Sequence, residues 1–278
     1  MTEAPFDARR IRNPLWLDDY YVKLDPRTRP PLAGIESMLA AGVDRYRARL
    51  ESFLAYVPDL LTIELELGRA RPGEPAWVNG AFPGVDIVAL FGMVASTRPA
   101  LYLEVGSGTS TLVAAMAKRL HSPGTRIVSI DPQPRAEVDA VCDQVVRCQL
   151  QDADLTVFDS LAAGDIVFID GSHRLFQNSD VSTFYLEILP RLPAGVIIHH
   201  HDIFLPDDYP AMWAERYYTE QYLLALVLTF APDAFEVILP NSWISTRTDM
   251  ERMFSAIWDR PGLEVEGRHG SSFWMVKR

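Results

Sequence analysis

Four side chains near the middle of the chain could do chemistry together: Asp170, His173, His201 and Asp202. Asp170 ends the apolar run Ile166-Val167-Phe168-Ile169 and opens the loop Asp170-Gly171-Ser172-His173. His201 and Asp202 end the run Val196-Ile197-Ile198-His199-His200. Carboxylates beside imidazoles can move protons near neutral pH, hold an acceptor, or coordinate a divalent cation. Upstream, Glu104-Val105-Gly106-Ser107-Gly108 ends another apolar run, and an Ala-rich amphipathic run, Leu112 to Ala117, begins soon after. Glycines at such a junction let the backbone turn sharply and approach a ligand closely.

The positions of these residues depend on an alternating pattern. Apolar runs near 101–105, 126–131, 144–148, 165–170 and 196–201 read as strands. Between and before them, amphipathic runs near 84–95, 109–120, 135–142, 178–189 and 215–229 predict helices. Strands alternating with helices imply a mostly parallel sheet with right-handed crossovers. The segments Phe235–Pro240 and Ser272–Lys277 add two further strands. Parallel strands deliver their following loops to one edge, so Gly106, Asp131, Asp170, His173, His201 and Asp202 should gather there. Along a strand His199 and His201 share a face and His200 points to the other, so the run is not by itself a three-ligand metal site.

Residues 1 to about 30 are rich in Arg, Asp and Pro and read as extended connector. Ile35, Met38, Leu39, Tyr46, Leu50, Phe53 and Leu54 then recur at helical spacing, and Arg71-Pro72-Gly73-Glu74-Pro75 breaks the pattern. Residues 1–76 are therefore expected to form a mainly helical extension, covering the cofactor or acceptor or making a subunit contact. Residues 77–278 should form the ligand-binding domain.

The strand Arg126-Ile127-Val128-Ser129-Ile130-Asp131 ends in a carboxylate that could accept both hydroxyls of an adenosine ribose. Such an acid serves NAD and S-adenosylmethionine alike. Thr111 stands where a dinucleotide turn has its third glycine, which weakens the NAD reading. Glu104, two residues before Gly106, matches a turn that binds S-adenosylmethionine.

These segments, with Ile169-Asp170-Gly171-Ser172-His173 and His201-Asp202, resemble the class I S-adenosylmethionine-dependent methyltransferases. More narrowly they resemble a small-molecule O-methyltransferase-like branch carrying an Ile-Asp-Gly-Ser-His loop. The resemblance covers roughly residues 77–278. It implies a Rossmann-like α/β fold, with a mostly parallel seven-stranded sheet whose last strand is antiparallel. It implies a cofactor held by Glu104, Gly106, Ser107, Gly108, Asp131, Asp152 and Asp170, with Glu104 toward the methionine end and Asp152 near adenine. It also implies a divalent ion, Mg²⁺, on Asp170 and Asp202. Metal-dependent relatives usually have Asn after the second acid, whereas this chain has Ile203. That departure favours substrate positioning by Asp170 with His201 or His173 as base.

The expected activity is methyl transfer to an oxygen, less readily a nitrogen, of a small-molecule acceptor. An NAD-dependent oxidoreductase and a non-catalytic cofactor-binding protein on the same fold are the alternatives. Gly106→Val is expected to fill ligand space and block the cofactor. Trp77, Asn79, Phe82 and Tyr102, and after the fifth strand Trp213, Tyr217, Tyr218 and Tyr222, are candidates to line an apolar acceptor pocket.

Across 278 residues, 37 acidic against 26 basic side chains give a formal net charge of −11, which argues against a general grip on nucleic acid. The hydrophobic share of 48% suffices for a sizeable core. The longest apolar stretch, Tyr222 to Ala231, is about half a membrane span. With no basic-then-apolar start, the expectation is a cytoplasmic protein, off the membrane, that could form homo-oligomers. Cys142 and Cys148 are expected to be reduced apolar fillers.

Overall fold

A computed structural model describes residues 30–263 and 268–278. Two short parallel strands, β1 (Glu64–Glu66) and β2 (Ala76–Val78), precede the main sheet. The main sheet contains β3 (Leu101–Val105), β4 (Arg126–Ile130), β5 (Gln144–Val146), β6 (Ile166–Ile169), β7 (Ile197–His200), β8 (Phe235–Pro240) and β9 (Phe273–Lys277). Its order is β5-β4-β3-β6-β7-β9-β8. The last strand, β9, runs antiparallel to both neighbours, and the other pairings are parallel. The mostly parallel sheet is the one the strand pattern implies, and its seven strands with an antiparallel last one are what the family resemblance implies.

All residues of β3, β6 and β7 are buried, as strands covered on both faces require. The order reverses between β3 and β6, so the loops after these two strands meet at the switch point of the sheet. The helix Gly84–Thr97 is buried along almost its whole length. It packs against the helix Thr109–His121 on one side and the helix Val43–Phe53 on the other. Gly92 permits that second contact, because a Cβ there would overlap the Phe53 ring.

The helices Ala33–Ala41 and Val43–Phe53 bury Ile35, Leu39, Tyr46, Leu50 and Phe53 in the same core as the sheet. Tyr46 meets Trp243 edge-on, with centroids 6.0 Å apart, and Arg45 donates to the Val237 carbonyl at 3.1 Å. The expected connector of residues 1–29 lies outside the described residues.

Two helix expectations need correction. The run near 135–142 forms only a single turn, Asp139–Val141. Pro132 and Pro134 precede it, and Arg147 pairs with Asp139, so the segment follows the sheet edge as a loop. The run near 215–229 begins as a regular helix only at Glu220, because Tyr217 is left-handed (φ 54°) and ends a separate turn, Ala211–Arg216. The run near 178–189 is helical but irregular, with a wide turn over Phe184–Ile188. Its N-terminus is capped by Ser179, which accepts from the Ser182 amide. Cys142 and Cys148 are both free thiols.

Candidate functional site

After β3 the chain turns at Gly106 with φ +81°, a conformation that favours glycine. A Cβ on Gly106 would overlap the backbone carbonyl of Asp170. Gly106→Val would therefore disturb the fold before any effect on the cofactor. The glycine first allows two neighbouring strand ends to close on each other. The Ser107 amide donates to Asp131 at 2.7 Å, and the Gly108 amide donates to the Thr111 hydroxyl at 3.1 Å. Thr111 in turn donates to Glu104. The residue that weakens a dinucleotide turn thus ties the turn to the strand beneath it.

Glu104 itself is fully buried, hydrogen bonded by Tyr102 at 3.0 Å as well as by Thr111. Burial pushes its carboxyl up to about 7. It does not reach the cavity, so its expected contact with a cofactor is corrected to support of the turn.

Above the turn lies a cavity of about 790 Å³. Gly106, Ser107, Gly108, Asp131 and Asp170 line it. Asp131 accepts from the Ser107 amide through one oxygen and from the Gln133 amide, at 2.7 Å, through the other. Each carboxylate oxygen has a second lone pair, so two ribose hydroxyls can still be accepted. Gln149, Leu150 and Gln151 form the next part of the wall. Gln151 carries a buried side-chain oxygen with no hydrogen-bond partner. A purine amino group would satisfy such an acceptor, because an unpaired buried acceptor is costly. Asp152, expected near adenine, is exposed and outside the wall, next to Gln151 in it. An unpaired acceptor, an acid with lone pairs to spare and a glycine turn thus line one cavity.

The opposite lip is made by Leu67, Asn79, Ala81, Phe82 and Phe176. Asn79 shapes this lip with its whole amide. Its nitrogen donates to the carbonyls of Ala76, Trp77 and Phe82, and its oxygen accepts from the amides of Ala81 and Phe82. Trp77, Tyr102, Trp213, Tyr217, Tyr218 and Tyr222 lie outside the wall. Trp213 and Tyr218 instead pack edge-on at 5.7 Å, in a cluster with Phe204 and Tyr209.

Asp170, His173, His201 and Asp202 come together under the cavity. His173 Nε2 lies 3.1 Å from Asp170 and 3.6 Å from Asp202. His201 Nδ1 lies 3.2 Å from Asp202 and 3.6 Å from Asp170. Two acids missed by the sequence reading complete the set. Glu220 meets His173 Nδ1 and His200 Nδ1, each at 2.9 Å. Asp86 faces His201 Nε2 at 3.4 Å while accepting from the Ser271 and Ser272 amides. A lone acid inside the apolar run of 84–95 was the one available sign of Asp86. The polar pair Glu220-Gln221 opening an apolar helix was the sign of Glu220.

Burial opposes charge throughout this cluster, yet the pairing overrides it. Asp170 falls to about 2 beside His201 and His173. Glu220 falls to about 2 under hydrogen bonds from His173 and His200. His173 and His201 both rise well above the ordinary imidazole value, His173 through Asp170 and Glu220 and His201 chiefly through Asp202 and Asp170. His199 instead falls well below that value, desolvated and stacked on Phe168 at 3.6 Å.

Of the four expected residues only Asp170 reaches the cavity wall. His173 and His201 are each 2% exposed, and both nitrogens of each ring face carboxylates. Neither His173 nor His201, the expected bases, is part of the cavity wall. The site also does not fit Mg²⁺. That ion keeps several waters and takes oxygen donors, whereas both rings are shut from solvent, Asp202 is only 8% exposed and Ile203 is buried beside them. Asp170, His173 and Asp202 do place one donor atom each within 4.8 Å of one another, but one of the three is nitrogen.

Residues 103–203 match the family model of a methyltransferase domain. No curated protein matches the sequence significantly. Among solved structures, the chain is similar to an O-methyltransferase from Bacillus cereus in complex with SAH, with 17% identity, 83% of this chain and 91% of that one covered, and a TM-score of 0.41. It is also similar to the O-methyltransferase TomG from Streptomyces achromogenes, involved in tomaymycin synthesis and in complex with SAM, with 17% identity, 68% and 77% coverage, and a TM-score of 0.33. The matched segment, residues 103–203, holds the glycine turn, Asp131 and Asp170, the same residues that line the cavity at the switch point of the sheet.

Proposed function

We propose that the chain transfers the methyl group to an oxygen, less readily a nitrogen, of a small-molecule acceptor. The observation that carries this is Asp170, a carboxylate in the cavity wall at the switch point of the sheet, beside the glycine turn. S-adenosylmethionine supplies a methyl group already activated on sulfur. The protein's work is then to hold donor and acceptor in line. Gly106, Ser107 and Gly108 bring the backbone to the cofactor, Asp131 accepts ribose hydroxyls, and Gln151 accepts the purine amino group. Asp170, its charge held by His173 and His201, accepts a hydrogen bond from the acceptor hydroxyl and fixes its direction. The apolar lip of Leu67, Phe82 and Phe176 receives the acceptor's body.

A cavity of about 790 Å³ suits a small molecule together with the cofactor. No helix among the described residues is long and apolar enough to cross a membrane. A cytoplasmic location and self-association are the sequence-based expectations. Calorimetry with S-adenosylmethionine and NAD tests the cofactor, and saturable NAD binding alone would overturn the reading. A panel of phenols, enols, carboxylic acids and amines, read by methyl incorporation in mass spectrometry, tests the reaction. Methylation confined to amines would overturn the preference for oxygen. Cofactor binding with no acceptor methylated across such a panel would favour the non-catalytic alternative.

A further inference from the structure

His173 is held in an unusual way. Its backbone is left-handed (φ 59°), and so is that of Asp202 (φ 56°). Such conformations cost free energy and persist where surrounding contacts hold them. The His173 carbonyl accepts from the amides of Thr219 and Glu220 at 2.8 and 3.2 Å, which fastens its loop to the start of the helix Glu220–Phe230. Glu220, 1% exposed, then receives Nδ1 from within that same helix start. On the ring's other edge, Nε2 faces Asp170 at 3.1 Å and Asp202 at 3.6 Å. A ring with carboxylates at both nitrogens donates to both only when it carries both protons. The Tyr218 ring lies against it, with centroids 4.6 Å apart, and the Arg174 and Arg216 guanidinium groups lie over that Tyr218 ring at 5.1 and 5.6 Å.

We infer that the His173 imidazolium, clamped between Glu220 and the Asp170–Asp202 pair, is the resident cation of this site and occupies the place where a diacid would otherwise hold a divalent metal, with Glu220 as the positioning residue that keeps both ring protons in place. His201 repeats the arrangement more loosely between Asp86 and Asp202, backed by the Phe82 ring at 5.2 Å. Asp170 faces both rings through the same oxygen, Oδ1, at 3.1 and 3.6 Å, and it lines the cavity. A fixed cation behind that carboxylate keeps it an anion when an apolar acceptor displaces water. The inference rests on the proposed methyl transfer only for this last consequence.

The test uses the full chain without cofactor or acceptor, so its outcome is separate from that of the functional reading. In protein labelled with ¹⁵N-histidine at pH 7.5, the His173 signal, assigned by its loss in His173→Asn, should show both nitrogens protonated. A neutral ring with a bare Nε2 would overturn the inference. Calorimetry of chelator-treated protein with MgCl₂, MnCl₂ and ZnCl₂ should show no saturable binding. Stoichiometric binding that weakens at least tenfold in Asp202→Asn would overturn it. Glu220→Gln keeps the shape but removes the anion, so the His173 signal should move to a singly protonated ring, and Glu220→Asp should restore the doubly protonated one. A His173 signal unchanged in Glu220→Gln would refute the positioning role. Should that variant not fold, the two wild-type measurements still decide.

Discussion

The two halves of the cavity floor are built by different means. On the β3–β4 side, the Gly106 turn and Asp131 are joined through backbone amides, and the wall is open to solvent along Asp131 and Gln133. On the β6–β7 side, Asp170, Asp202, Glu220 and Asp86 face His173, His200 and His201, with almost no solvent. A ligand whose identity does not change can be held by backbone geometry and a single acid. A fixed charge beside a reacting group needs buried partners, because water would screen it. The first half should therefore tolerate side-chain changes that alter affinity alone, while the second should lose fold and function together.

The largest effect should come where the two halves touch. Gly106→Val should cost roughly 2–6 kcal/mol, from a strained left-handed backbone and an overlap with Asp170. Urea melts would show it, whereas Gly108→Ala, whose Cβ would meet only Arg135 at 3.5 Å, should fold normally. A normally stable Gly106→Val protein would mean the loops do not close as described.

Next comes the ionic half. Glu220→Ala leaves the His173 and His200 nitrogens unpaired in the interior, a loss of about 3–5 kcal/mol. In contrast, Asp131→Ala should change stability little and weaken S-adenosylmethionine binding about 5–150-fold, equivalent to about 1–3 kcal/mol. Equal stability losses in the two variants would erase the distinction between the halves.

The same contrast predicts a pH dependence of stability. Asp170 and Glu220 sit at about 2 against ordinary values of 3.8 and 4.5. Their contribution is complete above the ordinary values and disappears as pH falls toward 2. His173, His201 and Glu104 are raised, so their contribution is complete below their ordinary values of 6.5 and 4.5. It is lost as pH rises through about 7 for Glu104, and higher for the two rings. The melting temperature should therefore peak at roughly pH 4.5, where the acids contribute fully and Glu104 has not begun to lose its share, and fall on both sides. A profile flat from pH 3 to 9 would contradict the buried ionic network.

The smallest effect separates two neighbours. Gln151→Ala should weaken cofactor binding about 2–10-fold by removing one acceptor, while Asp152→Ala should leave it within about 2-fold. The reverse order would restore Asp152 to the adenine contact.

Local pattern was enough for the strands, the glycine turn and Asp131, because each is set by neighbours a few residues away. Apolar runs bury on both faces of a parallel sheet, a glycine turns at positive φ, and an acid at a strand end reaches the next loop. The gathering of Asp170, His173, His201 and Asp202 followed from parallel topology alone. The face alternation that splits His199 and His201 from His200 is equally local, and the structure has it: His199 lies on Phe168, and His200 lies against Phe184 and Tyr185.

What each of those groups does could be decided only by tertiary contacts. Asp86 comes from a helix far earlier in the chain and Glu220 from one after β7, so no spacing joins either to His201 or His173. Glu104 lies one residue from the cavity wall and Gln151 within it, and they differ because one side chain turns under the strand and the other leaves an oxygen unpaired. Residue types and their order determine which groups reach the ligand edge of a sheet. Protonation and access are set by charges and surfaces brought from elsewhere in the fold, because electrostatic energies in a desolvated interior depend on distance and burial and not on separation along the chain.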